Sequence, residues 1–529
     1  MSKNTAEPVE IANLDEDFEK CSNYIDAFLK KEKVSDTVYN ETMLVFEAIY
    51  HNIMEQNNDR SPVMLRVKKE WGDAGILISY EGDMYRPGVR SGSDLSAEEK
   101  ILKAYNDRID YSFVSGYNRI QITIRHSREK TVIPCVIGAA AAIALYTAVH
   151  FLTGPLEEQM LLNDWVFPAE KLCGNLVLMV GAPMTFISFL KNLTDTFIIG
   201  DRQPETKKIR KEIIFSSLFA VLLGIITSLI VMQIIEDPEF AYINPSNVNM
   251  SVQEILETLI PADVFTPFMI MSPFPLLILA LLVTFSLCSI GKYFDSVKRI
   301  IEISYALFSR MLTIVMYGLP FFVFLAVFDV ILSDGYGILL YYIELILIVM
   351  FGLMFILFLY WLRLFTKGIP AGPLFRKLGP LIKENYRIGA AIDAAPYNIR
   401  YCARTWSMDR KKLEANIPVL AEINLDGNCF LLTLMPVLFM FVGDVEVTAA
   451  NIILVGILAF FLSLGAPNQP GSILIGMLII LNFMVAEELI LNAFIAEFLF
   501  GGVQNLINVI GDIVTVYEEE KRAKPSAGK

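Results

Sequence analysis

With 529 residues, 54% of them hydrophobic, and a mean hydropathy of +0.50, the chain is too apolar for an ordinary soluble enzyme and too long for one domain. A net charge of −13 with no basic stripe argues against nucleic acid as a partner. Cysteines without CxxC spacing and three scattered histidines argue against a disulfide framework, a zinc site or a His-ligated metal.

Residues 1–130 are mixed and charged. They hold no short apolar run behind a basic start, so no signal peptide is expected and the region stays in the cytoplasm. Residues 1–12 read as a flexible tail. In 13–128, Val38–Asn57 carries apolar residues at helical spacing, and Val63–Lys68, Gly75–Tyr80 and Asn118–Arg125 read as strands, the last alternating Ile120, Ile122 and Ile124. This order resembles the α+β ATPase domain of anti-sigma-factor serine kinases and histidine kinases. The chain departs from that pattern where the chemistry needs it. In Phe46–Asn52, His51 takes the place of the Asn that would hold Mg²⁺. In Ile78–Pro87, Tyr80 replaces the adenine-binding Asp and Met84 replaces a glycine. The domain is therefore read as degenerate: ATP is not expected as a cofactor, and a regulatory role with a cytoplasmic protein partner is.

From Thr131 onward long apolar runs dominate. Candidate spans are 131–152, 171–197, 209–235, 264–290, 301–332, 337–366, 413–442 and 485–516. Lys and Arg concentrate in Asp201–Lys211, Lys292–Arg299, Arg363–Arg387 and Arg400–Lys412. They are absent from the loops Thr153–Trp165, Glu236–Val264, Ser333–Gly337 and Gly443–Thr448. The positive-inside rule then places both termini in the cytoplasm of a multi-pass protein of the inner (plasma) membrane, with Tyr517–Lys529 as a tail. Two segments fit badly as spans. Residues 372–399 are too polar to cross, and 450–483 are broken by Gly465–Gly471, whose two prolines and two glycines cannot sit in a continuous helix. Both read as re-entrant hairpins, since irregular backbone at membrane depth survives only inside protein or beside a cavity. The fold expected is a polytopic α-helical membrane protein: eight spans, two re-entrant hairpins and an N-terminal α+β domain, with 129–517 forming the membrane domain and 518–529 its cytoplasmic tail.

Two acids lie deep in the apolar half: Asp426 in Ile423–Asn428 and Asp512 in Asn508–Asp512. A carboxylate at that depth costs roughly 2.5–3.5 kcal/mol on insertion scales, so a cation is its simplest partner. On the last helix Glu497, Gly501, Gln504, Asn505, Asn508 and Asp512 recur at steps of three and four, forming one polar stripe. For Gln504 and Asn505 a structural seam between helices explains the stripe equally well.

In order and spacing, residues 131–517 resemble the dicarboxylate/amino acid:cation symporter family, the glutamate-transporter fold. Asn424, Asp426 and Gly427 keep the family's Asn-Met-Asp-Gly-Thr motif, with Leu425 for Met. Ala390–Pro396 stands where the first hairpin's tip belongs. Ser463-Leu464-Gly465-Ala466…Pro470-Gly471 matches the second, and Asn508-x-x-x-Asp512 the last helix. Ser216-Ser217 matches a Thr-Ser pair on the third span. The resemblance implies one Na⁺ site from Asn424, Asp426, Ser216 and Ser217, and another helped by Asn508 and Asp512. Unwound backbone beside Asp426 and at Ser463–Gly465 would add carbonyl oxygens. It also implies a homotrimer in the lipid bilayer and transport by alternating access: both hairpins and spans seven and eight move against a scaffold of the other spans.

The substrate half departs from the family. Gly501 replaces the Asp that grips a substrate ammonium, Gln504 the Arg that pairs a distal carboxylate, and Asn505 a neighbouring Thr. Without Arg there is no bidentate fork for a carboxylate. The solute-facing set is then Asp393, Ala394, Asn428, Ser463, Gly465, Asn468, Gln469, Gln504 and Asn505, suited to a small neutral or cationic solute. Asp393 reads equally as a solvated loop residue, and with Glu497 it keeps H⁺ coupling open. Two functions are carried forward: a cation-coupled symporter, and a transporter-derived sensor that signals through residues 13–128.

Overall fold

The computed structural model describes residues 9–11, 17–32, 36–56, 63–70, 73–82, 109–114, 116–124, 129–195, 204–234, 263–269, 272–290, 293–442, 447–467, 469–484 and 489–523, together with 34, 85, 102 and 260. Contacts divide the chain into two units, 1–130 and 131–529.

The first unit contains β1 (Val9–Ile11), α1 (Asp17–Glu32), α2 (Asp36–Gln56), β2 (Val63–Glu70), β3 (Asp73–Glu81), β4 (Ile109–Val114) and β5 (Tyr117–Ile124). The strands form one antiparallel sheet in the order β1-β2-β3-β5-β4. Alternation fixes which face is buried. Asn118, Ile120, Ile122 and Ile124 point inward from β5, and Leu65, Ile76 and Ile78 join them from β2 and β3. Ile25 and Leu29 of α1 and Phe46, Ile49 and Ile53 of α2 complete the core. Strands β1 and β4 go beyond the sequence expectation; β4 begins in a short alternation, Ile109-Asp110-Tyr111, that gives little signal alone.

The second unit is helical: α3 (Glu129–Leu152), α4 (Pro155–Leu193), α5 (Pro204–Ile234), α6 (Pro273–Ile290), α7 (Phe294–Met316), α8 (Leu319–Asp334), α9 (Gly337–Thr366), α10 (Gly379–Ile388), α11 (Ala391–Trp406), α12 (Arg410–Ile423), α13 (Asp426–Val442), α14 (Ala449–Leu464), α15 (Ser472–Phe483) and α16 (Ile490–Ala523). Among the described residues, six helices are long and apolar enough to cross a membrane, or seven if the bent pair α7/α8 is one span. Large apolar side chains such as Ile133, Leu172, Leu340 and Phe351 are exposed around the unit, as a lipid-facing surface requires. The α12–α13 segment is buried along its whole apolar window and forms the centre.

Three boundaries differ from the sequence reading. The stretch expected as the loop Thr153–Trp165 is helical from Pro155, where proline at the first helical position follows Gly154 and Glu157 accepts the Gly154 N–H at 3.0 Å. The run 301–332 bends by 51° between α7 and α8, around Tyr317-Gly318 and just before Pro320. The last helix runs past Tyr517 because Glu518, fully buried, is held by Arg363 at 2.8 Å, Lys367 at 2.6 Å and Arg522 at 3.3 Å.

Candidate functional site

The site begins where α12 stops. Asn424 leaves helical geometry (φ −92°, ψ 74°) and the chain resumes as α13 at Asp426. The break frees terminal backbone groups of both helices and sets Asp426 in the first turn of α13, where the helix dipole favours a negative charge. Gly427 permits this approach. A Cβ there would lie 2.6 Å from the Gln504 carbonyl oxygen of α16, and its N–H donates to Asn508 Oδ1 at 2.8 Å.

Asp426 is 1% exposed and Asp512 2%. Asp426 accepts hydrogen bonds from Ser216 (2.5 Å) and Ser217 (3.3 Å) of α5 and from Tyr360 of α9 (2.6 Å). Asp512 accepts from Asn424 Nδ2 at 2.8 Å. Asn508 Nδ2 reaches Asn428 Oδ1 at 3.2 Å and Gln504 Oε1 at 2.9 Å. The six residues expected to hold cations, Ser216, Ser217, Asn424, Asp426, Asn508 and Asp512, thus come together from α5, the α12–α13 break, the start of α13 and α16. Neither carboxylate forms an ion pair with a described Lys or Arg; Arg363 is committed to Glu212 (3.0 Å) and Glu518. Carboxylate, hydroxyl and amide oxygens are the donor types a hard monovalent cation takes.

Tyr360 is absent from the sequence reading. On a helix as apolar as α9 a tyrosine reads as one more hydrophobic residue, and only Gly511 betrays the contact: a Cβ there would lie 2.6 Å from the Tyr360 hydroxyl. We expect Tyr360→Phe to cost about 2 kcal/mol of stability in thermal unfolding, the value of a hydrogen bond to a buried charged group.

The expected solute residues divide. Gly389, in the left-handed conformation, ends α10, and extended Ala390 begins α11, so Asp393 and Ala394 sit in the first turn of α11. The two halves are joined by a reciprocal amide pair the sequence did not reveal, Asn385 to Asn398 at 2.7 and 3.1 Å. In the second break, Gly465 packs so closely that a Cβ would meet the Phe189 ring at 2.5 Å. Ser188 and Asn192 of α4 donate to the Ala466 and Leu464 carbonyls at 3.2 and 2.9 Å. Ser463 donates to Ala459 within its own helix at 2.7 Å. Gln469 bonds Ser309 of α7. Asn468 lies outside the described residues. Asn428, Gln504 and Asn505 lie with Asn508, and Asn505, 5% exposed, leaves its Nδ2 donor without a hydrogen-bond partner among the described residues.

In the first unit, His51 is exposed and faces the Phe18 ring at 5.8 Å. Tyr80 and Tyr85 are 3% and 1% exposed, and burial pushes both phenols above their usual range. Asn118 accepts the Tyr85 N–H at 2.8 Å and the Tyr111 hydroxyl at 3.2 Å.

A membrane-embedded helical unit with interrupted helices around two buried carboxylates defines a class of secondary transporters. Residues 130–517 match the sodium:dicarboxylate symporter family, and the chain belongs to that family. No curated protein matches it. Family members are transporters, so the chain is not an enzyme.

Proposed function

We propose that the protein is a Na⁺-coupled symporter of a small polar organic solute without net negative charge. The observation that carries this reading is the pair Asp426 and Asp512, buried, hydrogen-bonded to hydroxyls and amides, and in no direct ion pair with a described Lys or Arg. A bound cation supplies the missing charge. Its removal leaves two uncompensated carboxylates, which gives the transport unit a reason to change conformation when empty.

The topology in this reading is eight spans with 372–406 and 449–483 as re-entrant hairpins, both termini cytoplasmic, in a plasma-membrane trimer. The α7/α8 pair is one bent span, and α12/α13 is another, interrupted. The mobile unit is larger than the sequence alone implied. Ser216, Ser217 and Tyr360 all donate to Asp426, so moving α13 without α5 and α9 would strip three hydrogen bonds from a buried charge. Spans three and six therefore travel with spans seven and eight and the hairpins, in an elevator movement against α4, α7 and α8.

Asn505 Nδ2, buried and unpartnered, is available to an acceptor oxygen of the solute, and Gln504 presents an amide where the family's Arg would fix a carboxylate. Proteoliposomes with an inward Na⁺ gradient should accumulate a neutral amide-bearing solute such as glutamine at least tenfold over succinate; equal or preferential succinate uptake contradicts this substrate class.

The sensor reading rests on the additional N-terminal unit and the rewritten solute residues. It predicts saturable solute binding with no accumulation in the same vesicles. In either case residues 13–128 act through a protein partner rather than through ATP: the sequence resemblance to an ATPase domain puts Tyr80, His51 and Met84, which lies outside the described residues, where nucleotide and metal contacts would be expected.

A further inference from the structure

Glu497 has no part in the cation set, yet it is 2% exposed in the middle of α16. Its two oxygens reach another segment: Oε1 accepts the Gly471 N–H at 3.0 Å and Oε2 the Leu474 N–H at 3.2 Å. Gly471, with φ +97°, is the N-cap of α15, and it offers no side chain to satisfy the free N–H groups of the first turn. A residue with a Cβ there would be strained and would also meet Met316 Sδ at 2.9 Å. The tip thus depends on an acceptor from elsewhere, and Glu497 supplies it with the negative charge that a helix N-terminus attracts.

The surroundings sharpen the point. From Asp426 to Glu520 the sequence contains no Lys, Arg or His. Within that stretch the α15 N-terminus is the natural place for an anion, and the protein's own carboxylate fills it.

We propose that Glu497 is a positioning residue for transport: an internal anion that clamps the tip of the second hairpin against α16 and denies that helix end to an anionic solute. The proposal rests on the reading of 449–483 as the hairpin that closes over the site.

Cysteine alkylation in the full-length protein tests it. Ala466 is 4% exposed, so an Ala466→Cys thiol reports opening of this tip, and Ala280→Cys, at a fully buried position in α6 away from the site, serves as the control. Glu497→Gln keeps the side chain's size but turns an amide N–H₂ toward a backbone N–H. With the charge-assisted bonds lost, Ala466→Cys should be alkylated about tenfold faster than in the parent, while Ala280→Cys stays within about twofold. General loosening would raise both rates. An unchanged Ala466→Cys rate, or an equal rise at both sites, overturns the clamp. Glu497→Asp, which keeps the charge, should restore part of the protection; if it behaves like Glu497→Gln, charge is not what holds the tip. Excess succinate should leave the Ala466→Cys rate unchanged without the Glu497 substitution, and protection by succinate overturns the exclusion of anions. Loss of any Na⁺ effect on thermal stability would count against symport itself and is read separately from the alkylation rates.

Discussion

Asp512→Asn and Asp426→Asn should each abolish stabilisation by Na⁺, and without Na⁺ Asp512→Asn should be no less stable than the parent. The sign follows from burial. At 1% and 2% exposure an ionised carboxylate outside any described ion pair is a liability when the site is empty, and an amide of the same shape lowers that cost. When Na⁺ is present the order reverses, because the amide contributes no net charge to a site sheltered from water. At Na⁺ a hundredfold above its Kd, binding stabilises the parent by about 2.7 kcal/mol. Thermal unfolding with Na⁺ exchanged for choline should show that increment in the parent and its loss in both variants, together with loss of gradient-driven uptake. A variant that unfolds early in both buffers would point instead to a structural role for the acid.

The second large effect is expected at Gly427, where α13 and α16 meet. Gly427→Ala places a methyl group 2.6 Å from the Gln504 carbonyl oxygen and 3.0 Å from Asn508 Oδ1. A backbone carbonyl cannot rotate aside, so the helices must separate and the Gly427 N–H to Asn508 bond must lengthen. Overpacking of this kind costs about 1–3 kcal/mol. The functional loss should be greater than the stability loss, because Asn508 also holds Asn428 and Gln504 and stands one turn before Asp512. Half-saturating Na⁺ in the thermal assay should rise at least tenfold. Gly379→Ala is the matched control: nothing lies within 4 Å of the added Cβ, and the Na⁺ response should not change.

The sequence is most legible where burial and periodicity act over long runs. The apolar segments mark where the helices lie, and β5 declares its buried face through Ile120, Ile122 and Ile124. It is less legible where one residue decides the outcome. The bend between α7 and α8 falls inside a uniformly apolar run, and hydropathy averages do not register Gly318 and Pro320. Helix α4 extends through an acidic stretch that resembles a loop by charge, because its start is set by Gly154, Pro155 and Glu157.

The candidate site divides in the same way. Asp426, Asp512, Asn424 and Asn508 announce themselves because polar side chains at membrane depth are costly. Ser216 and Ser217 meet Asp426 across more than two hundred residues, and only the family pattern brings them to attention. Tyr360 and the partners of Glu497 leave no mark in the sequence. Tyrosine is unremarkable in an apolar helix, and backbone N–H groups leave no trace in side-chain pattern. Gln469, expected to face the solute, is engaged with Ser309 of α7 instead; a break rich in amides does not reveal which way each amide turns.

Equilibrium Na⁺ binding to the purified full-length protein tests the central claim most directly, by isotope titration against a constant ionic strength of choline. Saturable binding that is lost in Asp512→Asn is the predicted result. Absence of saturable binding, or binding that survives in both Asp426→Asn and Asp512→Asn, would contradict the assignment of these carboxylates as the cation site.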